Sequence, residues 1–309
     1  MICEGKTMSK SFNDLIAQAK EGEMVKVAVS NAQDDAVLEA VRAAKDQGIA
    51  DAILFGNEAM MRQIAAEKNI KIDDFKIVNN EDVVGAALDA VKCVHDKEAD
   101  ILMKGFLETK DFLKSVLNKE VGLRTDKLMS HICVFECEGI EQLLFFTDVA
   151  FNTYPTLEQK ADMIRNAASV AKACGIDNPK VAPLAAVETV NPKMPCTVEA
   201  QQLTEMNKNG EITGCEVYGP LSMDLAIDPE AARHKRFSNP VAGHADILVF
   251  PDIHAGNITY KILKRTGKVR NGNVMAGAAA PIILTSRSDD AETKINSIAF
   301  AAAISKGSK

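Results

Sequence analysis

The densest run of chemically capable side chains follows an apolar pentapeptide near the end of the chain. "PIILT" (Pro281 to Thr285) gives way at once to Ser286, Arg287, Ser288, Asp289 and Asp290. Ser286 and Asp289 have the spacing of a capping box, which a helix start can use without any ligand. Arg287 fits that account less well. A cation in a first helical turn opposes the helix dipole, so it answers to a ligand anion, to a carboxylate of another domain, or simply to solvent. A second cluster stands where "ADILVF" (Ala245 to Phe250) breaks at Pro251, and comprises Asp252, Gly256 and Asn257. Gly256 at a helix start could admit an anion to free backbone N–H groups, and equally fits a plain turn. Lys104 in "LMKG" ends an apolar run, the end at which parallel sheets bind ligands. It is a candidate for an anion or for an ion pair between domains, as is Lys193, which Pro192 and Pro195 hold in a stiffened loop. Asp148 and Asn152 either face a cleft or close a strand in an Asx turn.

These residues need elements to hold them, and the apolar pattern supplies strands alternating with helices. "MVKVAV", "ADAILFG", "FKIVN" and "ADILMKG" are short apolar runs, each followed by an amphipathic helical pattern. Four such units in succession imply a parallel sheet covered on both faces. From about Met129 the texture changes. "HICVFEC" and "QLLFFTDV" flank the short reversal "EGIE", and then comes a helix with Thr156 and Gln159 at capping-box spacing. "PKVAPLAAV" is a further strand candidate, and Asp228 before Pro229 reads as a helix cap followed by proline at the first helical position. The fold class is therefore α/β, with two three-layer α/β/α domains. The first takes residues 1–129 and 276–309, the second 130–275, and a chain that leaves a domain and returns puts a central cleft beside its crossings.

Composition excludes several functions. The 309 residues exceed what one core usually serves. No apolar run reaches membrane-spanning length, and "MICEGKTMSKSF" lacks the apolar core of a signal peptide, with Met8 a plausible natural start. Seven cysteines without C-x-x-C spacing suit a reducing cytoplasm, and five scattered histidines offer no zinc pair, so no metal is expected. A formal charge of -7 argues against a nucleic-acid surface. The first strand is followed by "AVSNAQDD" where a dinucleotide fold would place G-x-G-x-x-G, and no Walker motif is present.

Several blocks together carry a specific resemblance: "GLRTDKLMSHICVFE", "FFTDVAFNTYPTLEQKADMIRNA", "VNPKMPCTVEA", "FPDIHAGNITYKIL" and "APIILTSRSDD". They resemble the phosphate acetyltransferase and phosphate butyryltransferase family over about residues 10 to 305, and the butyryl member more than the acetyl one. The resemblance implies a fold like that of isopropylmalate dehydrogenases, a homodimer or higher homo-oligomer, and reversible transfer of a short acyl group, butyryl favoured, between coenzyme A and inorganic phosphate. Acyl-CoA and phosphate are then substrates, with no tightly bound cofactor, metal or nicotinamide and no nucleic-acid or membrane partner. By resemblance, Ser286 and Arg287 meet the substrate carbonyl and phosphate, and Arg124 in "GLRTD" binds phosphate. In the acetyltransferases the thiol's proton acceptor is an aspartate seven residues beyond the serine, where this chain has Thr293. Glu292, Asp289 and Asp290 are replacements at hand, unless they merely cap or solvate the helix start, and His131 is a fourth, its ordinary pKa suiting the task, though a histidine at the start of a strand is as readily structural. A phosphate acetyltransferase, a related metal- and nicotinamide-dependent dehydrogenase, and an inactive coenzyme A-binding protein of the same fold stand as alternatives.

Overall fold

The computed structural model describes residues 11–286 and 289–308. The start at Met8 and Arg287 lie outside the described residues. The chain divides into two compact units, one built from Phe12–Lys127 and from Gly272 onward, the other from Leu128–Asn271.

The first unit opens with α1 (Phe12–Ala19), which buries Phe12, Leu15 and Ala19 along one stripe. It continues through β1 (Val25–Ser30), α2 (Asp35–Asp46), β2 (Ala50–Gly56), α3 (Glu58–Lys68), β3 (Lys76–Asn79), α4 (Val83–His95), β4 (Ile101–Lys104) and α5 (Thr109–Val116). The strands lie parallel in the order β3-β2-β1-β4, with Val25 beside Ala50, Ile53 beside Lys76 and Val27 beside Ile101. The crossovers through α2, α3 and α4 are short because an Asx side chain starts each of these helices soon after the preceding strand. Asp34, Asn57 and Asp82 accept the N–H groups of Val37, Met60 and Gly85 respectively. α4 and α5 pack together, as do α2 and α3, so the sheet is covered by helices on both faces.

The second unit holds β5 (Ser130–Cys137), β6 (Leu144–Thr147), α6 (Leu157–Ala173), β7 (Lys180–Pro183), α7 (Pro195–Lys208), β8 (Glu216–Val217), α8 (Met223–Ile227), α9 (Pro229–His234), β9 (Ile247–Val249) and α10 (Ile253–Thr266). Its strand order is β5-β6-β9-β7-β8; β5 and β6 are antiparallel, with Cys133 opposite Phe146, and the remaining pairs are parallel. Thr156 and Gln159 form the capping box of α6, and Asp228 caps α9 ahead of Pro229. Phe146 anchors the core, its ring 4.9 Å from Phe135 and 5.3 Å from Phe250. Rings tilted in this way gain from edge-to-face contact as well as from burial.

β10 (Val269–Ala276) carries the chain back to the first unit, where β11 (Ile282–Ile283) pairs antiparallel with β10 and parallel with β4. α11 (Ala291–Gly307) then packs against α1 and α2. α11 is alanine-rich and buried on almost every side, which is why its sequence shows no polar face. Two expectations need correction. "PIILT" yields a strand of only Ile282–Ile283, because the pairing with β4 ends there. Ser286 is also not a helix cap: α11 begins at Ala291 and Asp290 caps it, accepting the Thr293 N–H at 2.9 Å.

No helix among the described residues is long and apolar enough to cross a membrane. Cys93, Cys133, Cys137, Cys174 and Cys215 are buried free thiols, and Cys196 is half-exposed. Burial pushes Cys137 and Cys215 up from 9.0 to about 11, and moves Cys93 and Cys174 the same way. These thiols hold their protons more tightly folded than unfolded. The stability they contribute is complete below about pH 9 and is lost as pH rises through about 11. A thiol reagent near neutral pH should therefore label Cys196 quickly and the five buried thiols only on unfolding. Mass spectrometry of native and denatured samples checks this, and rapid native labelling at Cys137 or Cys215 would contradict it.

Candidate active site

In the first unit, β1, β4 and β11 are neighbouring parallel strands, and their carboxyl ends converge on one edge. Ser30 pairs with Lys104 at the ends of β1 and β4, and Met103 pairs with Ile283, so Lys104 stands one residue past the last β4–β11 pair. Lys104 is 3% exposed, with its Nζ 3.4 Å from the Gly105 carbonyl. The strand ends are drawn together by main-chain bonds from Gly105 N to the Ser30 carbonyl at 2.9 Å and from Phe106 N to the Asn31 carbonyl at 2.8 Å. A Cβ on Gly105 would sit 2.4 Å from both carbonyl oxygens, so only glycine permits this approach. Asn31 is fully buried, and neither its Nδ2 nor its Oδ1 has a hydrogen-bond partner among the described residues. The sequence reading missed it; its signal was a polar residue directly after the first strand, where nucleotide folds place their ligand-facing turn.

Ser286 is exposed and donates its N–H to Asp289 Oδ2 at 2.8 Å, while Asp289 N donates to the Ser286 carbonyl at 3.1 Å. Asp289 is 6% exposed, whereas Asp290 and Glu292 face water. Thr293 is buried in the first turn of α11. Lys294, which the sequence reading passed over, is 3% exposed and donates from Nζ to the Asp289 carbonyl. Lys104, Ser286 and Asp289 thus share the carboxyl edge. Arg124 is exposed on a segment tied instead to the chain entering β11: Thr125 Oγ1 donates to the Gly277 carbonyl at 2.6 Å, and Ala279 N to the Leu123 carbonyl at 2.9 Å.

The remaining sequence candidates belong to the second unit, where a buried carboxylate organises them. Asp148, 2% exposed just past β6, accepts from Ala150 N and Phe151 N on Oδ1 at 2.9 and 2.8 Å. Its Oδ2 accepts from His131 N at 3.0 Å, Asn152 N at 3.2 Å and Asn152 Nδ2 at 2.7 Å. His131 itself is a buried residue at the start of β5. The amino end of α10 docks on this turn: Asn257 Nδ2 donates to the Val149 carbonyl at 2.8 Å, and Ile253 N to the Thr153 carbonyl at 3.0 Å. Asp252 caps α10, accepting from His254 N and Ala255 N. The expectation of a free N–H at Gly256 is corrected here, since that group donates to the Asp252 carbonyl at 3.2 Å inside the helix. Gly256 is glycine for another reason: a Cβ there would lie 2.4 Å from the Asp148 carbonyl oxygen. Lys193 is exposed ahead of α7, its N–H donating to Asn191 Oδ1 at 2.9 Å. No group of three or more His, Cys, Asp or Glu side chains among the described residues is placed to hold a metal ion.

Comparison with known proteins bears on this arrangement. The sequence matches the family described as phosphate acetyl/butaryl transferase over residues 11–87 and 80–302. It is 54% identical over 297 residues to a phosphate butyryltransferase of Clostridium acetobutylicum, covering 96% of this chain and 99% of that one. It is 40% identical over 291 residues to a phosphate acetyltransferase of Thermotoga maritima, covering 94% and 99%. Among solved structures, a branched-chain phosphotransacylase from Enterococcus faecalis V583 is similar with a TM-score of 0.82 at 34% identity, covering 91% of this chain and 99% of that one.

The Asp148 turn makes a stability prediction that tyrosine fluorescence can read, because the three tyrosines, Tyr154, Tyr218 and Tyr260, all lie in the second unit. Asp148→Ala strands several buried donors and should cost this unit about 3 kcal/mol or more. Gly256→Ala should cost about 1–3 kcal/mol by overpacking. Urea unfolding measures both, and a midpoint unchanged in Asp148→Ala would show that the carboxylate does not hold the turn.

Proposed function

The chain belongs to the phosphate acetyl/butaryl transferase family, and from that premise we propose that it transfers a short acyl group, butyryl by preference, between coenzyme A and inorganic phosphate. The observation that carries this reading is 54% identity to a phosphate butyryltransferase over nearly the full length of both chains. Acyl-CoA and phosphate are the substrates of one direction, acyl phosphate and free coenzyme A those of the other. A homo-oligomeric state and a cytoplasmic location belong to the same proposal and rest on the resemblance.

The chemistry is direct attack on an acyl carbonyl. A phosphate oxygen, or in reverse the coenzyme A thiolate, adds to the carbonyl carbon, and the thioester or acyl phosphate bond then breaks. Negative charge gathers on the carbonyl oxygen and on the leaving group, and fixed cations and hydrogen-bond donors stabilise it. Lys104 and Ser286 support this role from the carboxyl edge of the first unit. Arg287 and Arg124 are assigned to phosphate by resemblance, and Lys193, Asp252, Gly256, Asn257 and His131 stay secondary candidates. In the second unit, Asp252, Gly256 and Asn257 have structural duties that already account for them.

Acyl-CoA formation requires an acceptor for the coenzyme A proton. Thr293 has no carboxylate, which leaves Glu292 in water and Asp289 buried with its Oδ2 closing the loop. We assign the acceptor to Glu292 and the positioning of Ser286 to Asp289. Glu292→Gln should then slow acyl-CoA formation and move its pH profile upward. Asp289→Asn should lower kcat in both directions without that pH change. An unaltered pH profile in Glu292→Gln, with the shift appearing in Asp289→Asn, would exchange the two roles.

The reaction itself is tested by thiol release from butyryl-CoA with and without phosphate. Release should require phosphate, and equal rates without it would leave only thioester hydrolysis. Across acetyl, propionyl, butyryl and valeryl thioesters, kcat/KM should peak at butyryl, each methylene being worth about 1–3 kcal/mol. A peak at acetyl would favour the acetyltransferase reading that the Thermotoga maritima relative keeps open.

A further inference from the structure

Lys294 stands where folding alone gives no reason for a lysine. It lies in the first turn of α11, behind the N-cap Asp290, so its charge opposes the helix dipole. It is 3% exposed, and its described hydrogen bond goes to a main-chain carbonyl, that of Asp289. No carboxylate forms an ion pair with it among the described residues. The carboxylate of Asp289, the adjacent acid, instead faces the Ser286 N–H. Buried ammonium groups are ordinarily paired with an anion, because a carbonyl dipole offsets only part of the lost hydration.

A second observation comes from the same edge. β1 lies two strands from β11 in the order β1-β4-β11, and at its carboxyl end Asn31 is fully buried with both amide atoms lacking a partner among the described residues. Lys104, at the end of the strand between them, is itself 3% exposed. The edge therefore holds buried cations and an amide able both to donate and to accept. An oxyanion rich in acceptors and carrying an exchangeable proton matches that set.

We propose that Lys294 is an anion-binding residue of this site, holding inorganic phosphate in one direction and the phosphoryl group of the acyl phosphate in the other. The proposal deepens the proposed function and rests on it for the identity of the anion. Lys294 thereby adds, from inside the helix, a charge to the one that the resemblance assigns to Arg287.

Three variants separate charge from hydrogen bonding. Lys294→Met keeps the volume and removes both, Lys294→Gln keeps a donor for the Asp289 carbonyl, and Lys294→Arg keeps the charge. With circular dichroism confirming folding, Met and Gln should each raise the KM for phosphate by about tenfold or more, with the KM for butyryl-CoA within about twofold of the parent. Arg should recover much of the loss. Should Lys294→Met not fold, Lys294→Gln reads the same question. A parental phosphate KM in Lys294→Gln would overturn the proposal, since the bond to Asp289 would then be the whole role; so would an equal rise in both KM values. Calorimetric titration with inorganic phosphate alone separates this from the reaction assignment. Phosphate binding that is lost in Lys294→Gln, in a protein whose thiol release ignores phosphate, would sustain the anion site and sink the transferase reading. Phosphate-dependent release that Lys294→Gln leaves untouched would do the reverse.

Discussion

A carboxylate that has lost its water must find its hydrogen bonds elsewhere, and Asp148 shows how much structure that requirement can fix. Its two oxygens accept from four backbone N–H groups and one side-chain amide, drawn from the start of β5 and from the turn that leaves β6. Removing a carboxylate from water costs several kcal/mol even after the protein relaxes, and each bond to a charged acceptor returns about 1.5–3 kcal/mol. Only a nearly complete set of donors makes the arrangement tenable. The turn therefore has little freedom, and the amino end of α10 can rest on it at a distance that excludes even a methyl group.

The same reasoning separates scaffold from candidate chemistry. In the second unit the polar residues at strand ends are occupied with one another: Asp252 caps, Asn257 ties, Asn152 and the His131 N–H serve Asp148. At the carboxyl edge of the first unit the balance differs. The side-chain amide of Asn31 is buried with no hydrogen-bond partner among the described residues, and Lys294 is buried against a carbonyl. A ligand is the simplest complement to groups of that kind, whereas groups already satisfied need none.

What could be read from the sequence followed from how directly pattern reports environment. The parallel strands of the first unit appeared as apolar runs because both faces are covered, and the caps at Thr156 and Asp228 could be read because side chain and backbone are neighbours in the chain. β10 could not be read, since its "VRNGNVMA" places Asn271 and Asn273 in buried positions that resemble a loop in a one-dimensional pattern. Asp252, Gly256 and Asn257 read as ligand residues because helix capping, close backbone approach and anion binding favour the same residue types. Lys294 was invisible for the opposite reason: a lysine on a helix ordinarily faces solvent, and nothing local signals that this one is enclosed.

The discontinuity of the first unit has a consequence for biosynthesis. β11, which lies between β4 and β10, and α11, which packs on α1 and α2, leave the ribosome only after the whole of the second unit. Residues 12–127 thus emerge before the second unit but lack β11 on one edge of β4, and α11 against α1 and α2, until that unit has been made. The second unit, continuous from Leu128 to Asn271, has all its own strands earlier. The first unit can therefore be completed only after the second has been synthesised, and until then the nascent chain exposes the edge of β4 and the apolar surface of α1 and α2 that β11 and α11 will cover, the kind of surface on which chaperones act.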